Sequence, residues 1–300
     1  MSEIRAVPAP AEEALRLHLP IEEEEPPPTR RFLFSRWHLV LLPIAVAMIL
    51  PLLWMLVTSF ETLPETRTYP PVLFPHSLYW RSYTQVLQQA PFARWFLNTL
   101  IVTTATVAGN LLLCSLAGYA FARIKFFGRE VVFLLVLATL MVPLQVVIIP
   151  TFLIVKRLGL IDTLGALIVP NLVEAFGIFM LRQFFRTLPI ELEEAARMDG
   201  ASRLGVLFKI VLPLSGPALA TLAVVQFTWT WNDFLFPLVV IFSAKNYTLQ
   251  LGLATFQGAH QSNTNLLMAA NVMAVLPVLL LFFVAQRYFI RGIATTGLKG

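Results

Sequence analysis

The sequence predicts an all-α membrane protein with six transmembrane helices. Three observations carry that prediction. Of 300 residues, 57% are hydrophobic and only 13% are charged, where a soluble domain carries about 25% charged residues; the mean hydropathy is +0.74. The apolar residues gather into six runs of about 20 residues or more, the length that crosses the hydrocarbon of a bilayer. Most Lys and Arg residues fall in short clusters between those runs. That distribution orients a chain in a membrane rather than building a phosphate-binding face, so the formal charge of +5 does not point to nucleic acid.

Residues 1–35 are acidic and Pro-rich, with Glu22 to Glu25 followed by Pro26 to Pro28. They hold too little apolar area to offset the entropy of ordering, and read as a disordered cytoplasmic tail. They lack the basic start and apolar core of a signal peptide. The membrane domain is expected over 36–300.

Arg30, Arg31 and Arg36 precede the first span, about 38–60, where Pro43 and Pro51 predict kinks. Residues 61–94 form a polar connection. Its Tyr69, Tyr79 and Trp80 suit the headgroup zone, and a short interfacial helix is expected from Tyr79 to Gln89. The second span, about 95–122, carries Asn98, Gly109, Asn110 and Gly118, small and polar positions for helix contact. Arg123, Lys125 and Arg129 make a basic hairpin before the third span, about 130–155, with Pro143, Gln145 and Pro150. The fourth, about 163–185, carries Pro170, Asn171 and Glu174; the fifth, about 215–242, carries Gln226, Trp229, Trp231, Asn232, Asp233 and Pro237. The sixth, about 266–290, holds Asn271 and Pro277.

Six spans put both termini on one side. Placing that side in the cytoplasm puts 16 of the 22 Lys and Arg residues there and 6 outside, as the positive-inside tendency requires. The single cysteine, Cys114, lies in an apolar run, can form no internal disulfide and is expected to pack as a small hydrophobe. The four histidines, His18, His38, His76 and His260, have no partners at metal-ligand spacing, so no metal site is expected.

The stretch between the fourth and fifth spans, 187–213, is amphipathic and charged. Pro189 suits a first helical position. Glu191, Glu193 and Glu194 follow where the positive helix end favours carboxylates. Ala195 and Ala196 leave room for another surface to approach. Asp199-Gly200 ends the helix, with Gly200 free to take a left-handed cap. Ser202 caps a second short helix with Leu204, Leu207, Phe208 and Val211 on one face. The residues themselves leave two readings, a loop folded on the membrane surface and a docking knob.

Glu194-Ala195-Ala196, three residues, Gly200, nine residues, then Ile210-x-Leu212-Pro213 resembles the EAA loop of the permease subunits of binding-protein-dependent ABC importers. Other stretches resemble the carbohydrate-uptake, maltose-type branch. They are Gly118-Tyr119-Ala120-Phe121-Ala122-Arg123, Pro143-Leu144-Gln145 with Ile149-Pro150, Trp231-Asn232-Asp233-Phe234-Leu235, Tyr247-Thr248-Leu249, Gln286-Arg287-Tyr288-Phe289 and the final Lys299-Gly300. The likeness covers about 36–300. The end departs mildly, with Ala294-Thr295-Thr296-Gly297-Leu298 where the family more often has small residues and glycine.

The resemblance implies a type I ABC importer permease fold with a cytoplasmic coupling-helix loop, set in a bacterial or archaeal inner membrane. It implies a second homologous permease subunit, a cytoplasmic ATPase dimer and an extracytoplasmic solute-binding protein as partners, and a sugar or related polyol as the solute. Glu194 would pair with a basic residue of the ATPase, Ala195 and Ala196 would fit its groove, and Asp199-Gly200 would make the turn. The chain has no G-x-x-x-x-G-K-[ST] loop and no convergent catalytic residues, so a non-catalytic subunit without a bound cofactor is expected. ATP and Mg would sit on the partner ATPase. Gln145, Asn171, Glu174, Gln226, Trp229, Asn232 and Asp233 are the candidates for the solute path, since polar groups in a span are costly; each could instead hold helices together. A secondary transporter or channel for a small polar solute would account for kinked, polar spans but not for the EAA-type loop.

Overall fold

The computed structural model describes the backbone of residues 37–71, 73–259 and 263–296, and the side chains of these residues except 259 and 287–296. The expected tail, 1–35, and the Lys299-Gly300 end lie outside the described residues. No strand occurs among the described residues. The chain divides into two units, residues 1–50 and 51–300. The first contributes most of helix α1, His38–Ser59, which Pro43 and Pro51 do not end.

The second unit begins at Pro51. After α1 come a short α2, Arg81–Gln89, inside the expected Tyr79–Gln89 segment, and α3, Phe92–Arg123. Then follow α4, Arg129–Thr139; α5, Leu144–Arg157; α6, Leu164–Ile168; and α7, Ala175–Thr187. The charged stretch between the fourth and fifth spans forms α8, Glu191–Met198, and α9, Arg203–Leu214. The chain continues through α10, Gly216–Trp231; α11, Leu235–Val240; α12, Leu249–Ala259; and α13, Thr264–Thr296. Among the described residues, four segments are long and apolar enough to span (His38–Ser59, Phe92–Arg123, Leu164–Thr187 and Thr264–Gln286); two more are bent pairs, giving up to six.

Three expected spans are interrupted. The third bends by 103° between α4 and α5, at Pro143, whose extended backbone (φ −62°, ψ 142°) and ring disfavour helix in the residue before it. The fourth changes to a 3-10 turn at Val169–Asn171 and opens at Glu174, which is extended (φ −128°, ψ 141°). The fifth stops at Trp231 rather than running to 242; Asp233 Oδ1 accepts from the Phe236 amide at 3.3 Å and starts α11. Irregular backbone at membrane depth persists only where protein buries it or where it lines a cavity.

α3 is the central post. Gly177 lets α7 approach it: a Cβ there would lie 2.9 Å from both Asn110 Oδ1 and Cys114 Sγ. Cys114 is fully buried in this contact. One apolar cluster, with Phe121, Leu181, Phe185, Leu207 and Leu222, fills the end of the post near α8 and α9. A second, with Trp95, Trp231, Leu249 and Phe256, fills the other end.

Candidate functional site

Two regions carry function-bearing side chains. The first is the α8–α9 hairpin. α8 ends in a Schellman motif: Gly200 N–H donates to Arg197 O (3.0 Å) and Ala201 N–H to Ala196 O (2.9 Å), with Gly200 at φ +85°. Ser202 Oγ accepts from the Gly205 amide at 3.1 Å and caps α9. Pro189 stands just ahead of the helix rather than at its first position.

The three carboxylates of α8 have different environments. Glu191 and Glu194 are exposed, whereas Glu193 is buried. Glu193 Oε1 lies 2.7 Å from Arg123 Nε, and its Oε2 accepts from Tyr119 Oη at 3.0 Å. Arg123 Nη2 also donates to Leu188 O at 2.6 Å. The hairpin is therefore braced against the end of α3. Ala196 is half-buried against the same core, while Leu192, Glu194, Ala195, Met198, Asp199 and Gly200 face outward.

The expected apolar face of α9 splits. Leu207 and Val211 are buried, but Leu204 and Phe208 are exposed. Residues Leu207–Val211 form a π turn, which inserts a residue into the helical repeat and rotates the rest of the helix about its axis. Pro213, lacking an N–H, comes two residues after the turn.

The second region is a cavity of about 390 Å³ where the interrupted spans meet. Asn171 and Glu174 line it from the break before α7. Gln226, Thr228, Trp229 and Thr230 line it from the end of α10, and Asn232, Asp233 and Leu144 complete it. Six of the seven solute-path candidates thus converge. Gln145 does not line the cavity; it is exposed beside Leu144. Thr228 and Thr230 are lining residues that the sequence reading missed, although Thr230 lies one helical turn beyond Gln226.

Hydrogen bonds fix the cavity walls. Gln226 Nε2 donates to Glu174 Oε1 at 3.1 Å and to Thr230 Oγ1 at 3.3 Å. Asn232 Nδ2 donates to Thr228 O, and its Oδ1 accepts from Gln250 Nε2 at 3.3 Å. Gln250 belongs to a second, smaller cavity with Gln257 and Asn271, so polar groups continue beyond Asn232. Trp229 is 51% exposed, and its ring meets Phe176 at 5.4 Å between centroids. The lining holds two carboxylates, amides, hydroxyls and an indole, and no cationic side chain. Such a surface suits a neutral, hydroxyl-rich solute.

Residues 114–295 match the model of the binding-protein-dependent transport system inner membrane component. The chain belongs to that family. It is similar to the arabinooligosaccharides transport system permease protein AraQ of Halalkalibacterium halodurans, 39% identical over 260 residues, covering 86% of this chain and 93% of the relative. It is similar to the sn-glycerol-3-phosphate transport system permease protein UgpE of Pectobacterium atrosepticum, 34% identical, covering 85% and 94%. Among solved structures, a chain of a bacterial ABC transporter involved in the import of the acidic polysaccharide alginate superposes with a TM-score of 0.76. It is 28% identical, covering 85% of this chain and 99% of that one. The chain is thus a multi-pass membrane permease component of a binding-protein-dependent transport system.

Proposed function

We propose that this permease forms, with a second homologous permease subunit, the path for uptake of short neutral oligosaccharides, and that a cytoplasmic ATPase dimer drives it. The observation that carries the solute assignment is the cavity at the span breaks. Amides and carboxylates bond sugar hydroxyls, and the half-exposed Trp229 indole offers an apolar face to a pyranose or furanose ring. Its two carboxylates, without a cationic neighbour in the lining, favour neutral sugars over phosphates or uronates. The names of the relatives support a carbohydrate class.

The α8–α9 hairpin is the ATPase contact. Glu194, Ala195, Asp199 and Gly200 are presented outward, and Ala196 backs them. The ATPase holds ATP and Mg; this chain binds no cofactor. When two ATPase subunits close, they push the hairpins together, and the Arg123–Glu193 brace passes that displacement to α3 and so to the cavity walls, a rigid-body route to alternating access. The hairpin and both chain ends face the cytoplasm, the orientation that puts 16 of 22 basic residues inside.

The test is ATP hydrolysis and uptake by the complete assembly in liposomes, with arabinotriose, maltotriose, raffinose and glycerol 3-phosphate as solutes. One neutral oligosaccharide raises hydrolysis in wild type and not in Glu194→Ala. Hydrolysis that ignores every solute, or that only glycerol 3-phosphate raises, overturns the reading.

A further inference from the structure

α3 has 32 residues, about 48 Å at the helical rise. Its end at Arg123 meets the coupling hairpin. Near its other end, on the far side of the molecule, lies a cavity of about 550 Å³ that the solute path above does not use. Its volume falls within the roughly 300–1,000 Å³ of small-molecule clefts.

Three segments wall this cavity, and each is tied in place. Thr62 belongs to a turn closed by Glu65, whose Oε2 accepts from the Thr62 amide (2.7 Å) and hydroxyl (2.8 Å). Tyr79 is held by its amide, which donates to Phe60 O at 2.9 Å. Gln85 and Gln89 are four residues apart on α2, so both point the same way. Asn263 and Asn265 come from the start of α13, and Asn265 Nδ2 donates to Ser82 Oγ of α2 at 3.2 Å.

The polar lining is amide, hydroxyl and phenol, set beside the apolar Leu63, Pro64 and Leu266, and no charged side chain lines it. Asn265 is 3% exposed, and its Oδ1 has no hydrogen-bond partner. Buried acceptors left open are costly unless a ligand or water fills them. Amides bond adjacent sugar hydroxyls as donor and acceptor together, and Tyr79 supplies a ring face.

We propose that this cavity is a staging subsite for a neutral oligosaccharide, occupied before the sugar reaches the cavity at Trp229. The inference rests on the carbohydrate-importer reading and adds a second sugar contact at the outer mouth of this chain.

The test uses the complete importer in liposomes, and whichever of arabinotriose, maltotriose or raffinose wild type takes up. Gln89→Cys is labelled from outside with a membrane-impermeant maleimide; Cys114 is fully buried and does not compete. The transported sugar slows labelling about threefold, as expected when roughly two thirds of sites are filled. It does so without binding protein and leaves Gln88→Cys, on the same helix but outside the cavity, unaffected. Adding Gln85→Ala and Asn263→Ala abolishes the protection. Protection that needs the binding protein and ignores sugar makes the cavity a protein-docking surface and overturns the proposal. Uptake without any protection overturns it too and leaves the importer reading standing. Absence of uptake for all three sugars removes both.

Discussion

Glu193 Oε1 and Arg123 Nε lie 2.7 Å apart, with the two side chains only 8% and 12% exposed. The pair joins the α8–α9 hairpin to the end of α3. Removing one partner of a buried pair leaves a desolvated charge and typically costs about 3–5 kcal/mol. Here the loss falls on the docking of a short helix, so it loosens the hairpin before it unfolds the chain. In Glu193→Ala, tryptic cleavage at Arg197 and Arg203 accelerates in the isolated permease, and solute-stimulated ATP hydrolysis falls about tenfold. In Glu194→Ala, cleavage stays at the wild-type rate and ATPase association weakens. Identical behaviour of the two variants would refute the separate roles.

Gly200 sits at φ +85°, and a Cβ there would meet nothing within 4 Å. The demand for glycine is therefore conformational, not steric. A side chain in the left-handed region costs roughly 1–2 kcal/mol, less for Asn. Gly200→Val lowers uptake strongly while membrane insertion is retained, and Gly200→Asn keeps most of the uptake. Equal uptake in all three proteins would sink the cap as a coupling element.

Much of this was legible in the residues. Asp199-Gly200 and Ser202 announced both caps because each acts through its own backbone neighbours. The cavity was legible because Asn171, Glu174, Gln226, Trp229, Asn232 and Asp233 are polar groups in apolar runs, where polarity is costly. Gln145 satisfied the same criterion but lies on a span that bends by 103°, and a bend's direction is set by packing, not by the proline that permits it. Which α8 carboxylate turns inward was not legible either. Glu191, Glu193 and Glu194 are equivalent in local sequence, and only Tyr119 and Arg123, some 70 residues away, select Glu193.

Asp162 clasps the loops on the side opposite the hairpin. Its Oδ1 accepts from the amides of Phe242 (3.0 Å) and Ser243 (2.9 Å), and its Oδ2 from the Ser243 hydroxyl. The Ser243 hydroxyl first, then these amides, lower its pKa from 3.8 to about 2. A depressed folded-state pKa means the stabilisation is present above about pH 4 and is lost as pH falls through about 2. Asp162 is only half-buried, so water screens the charge and the effect is small. Asp162→Asn melts below wild type at pH 7, with tryptic cleavage at Lys245 accelerated. The difference in melting temperature shrinks as pH falls from 5 to 2.5. A difference that is constant over that range would rule out the charge as its source.

Trp229 tests the solute path. Its ring is half-exposed at the cavity and packs on Phe176, so its removal costs the fold little. Loss of an aromatic contact of about 1.4 kcal/mol is a tenfold change in affinity. Trp229→Ala raises the KM for the transported oligosaccharide about tenfold, while Trp229→Phe raises it only slightly. Basal ATP hydrolysis stays unchanged in both. A KM that does not move in Trp229→Ala would place the sugar elsewhere.

Gly252 and Trp95 show how tightly the end of the post far from the hairpin is built. A Cβ on Gly252 would lie 2.2 Å from the Trp95 ring. Trp95 cannot swing away, because it is 4% exposed and its indole N–H donates to Ala244 O at 3.3 Å. Overpacking of this kind costs about 1–3 kcal/mol. Gly258, on the same helix, has open space around its Cβ position and serves as the control. Gly252→Ala melts several degrees below wild type, and Gly258→Ala melts at or above it, since alanine favours helix by about 1 kcal/mol over glycine. The contrast separates packing from propensity: helix propensity alone would make both substitutions stabilising, and only the Trp95 contact reverses the sign at Gly252.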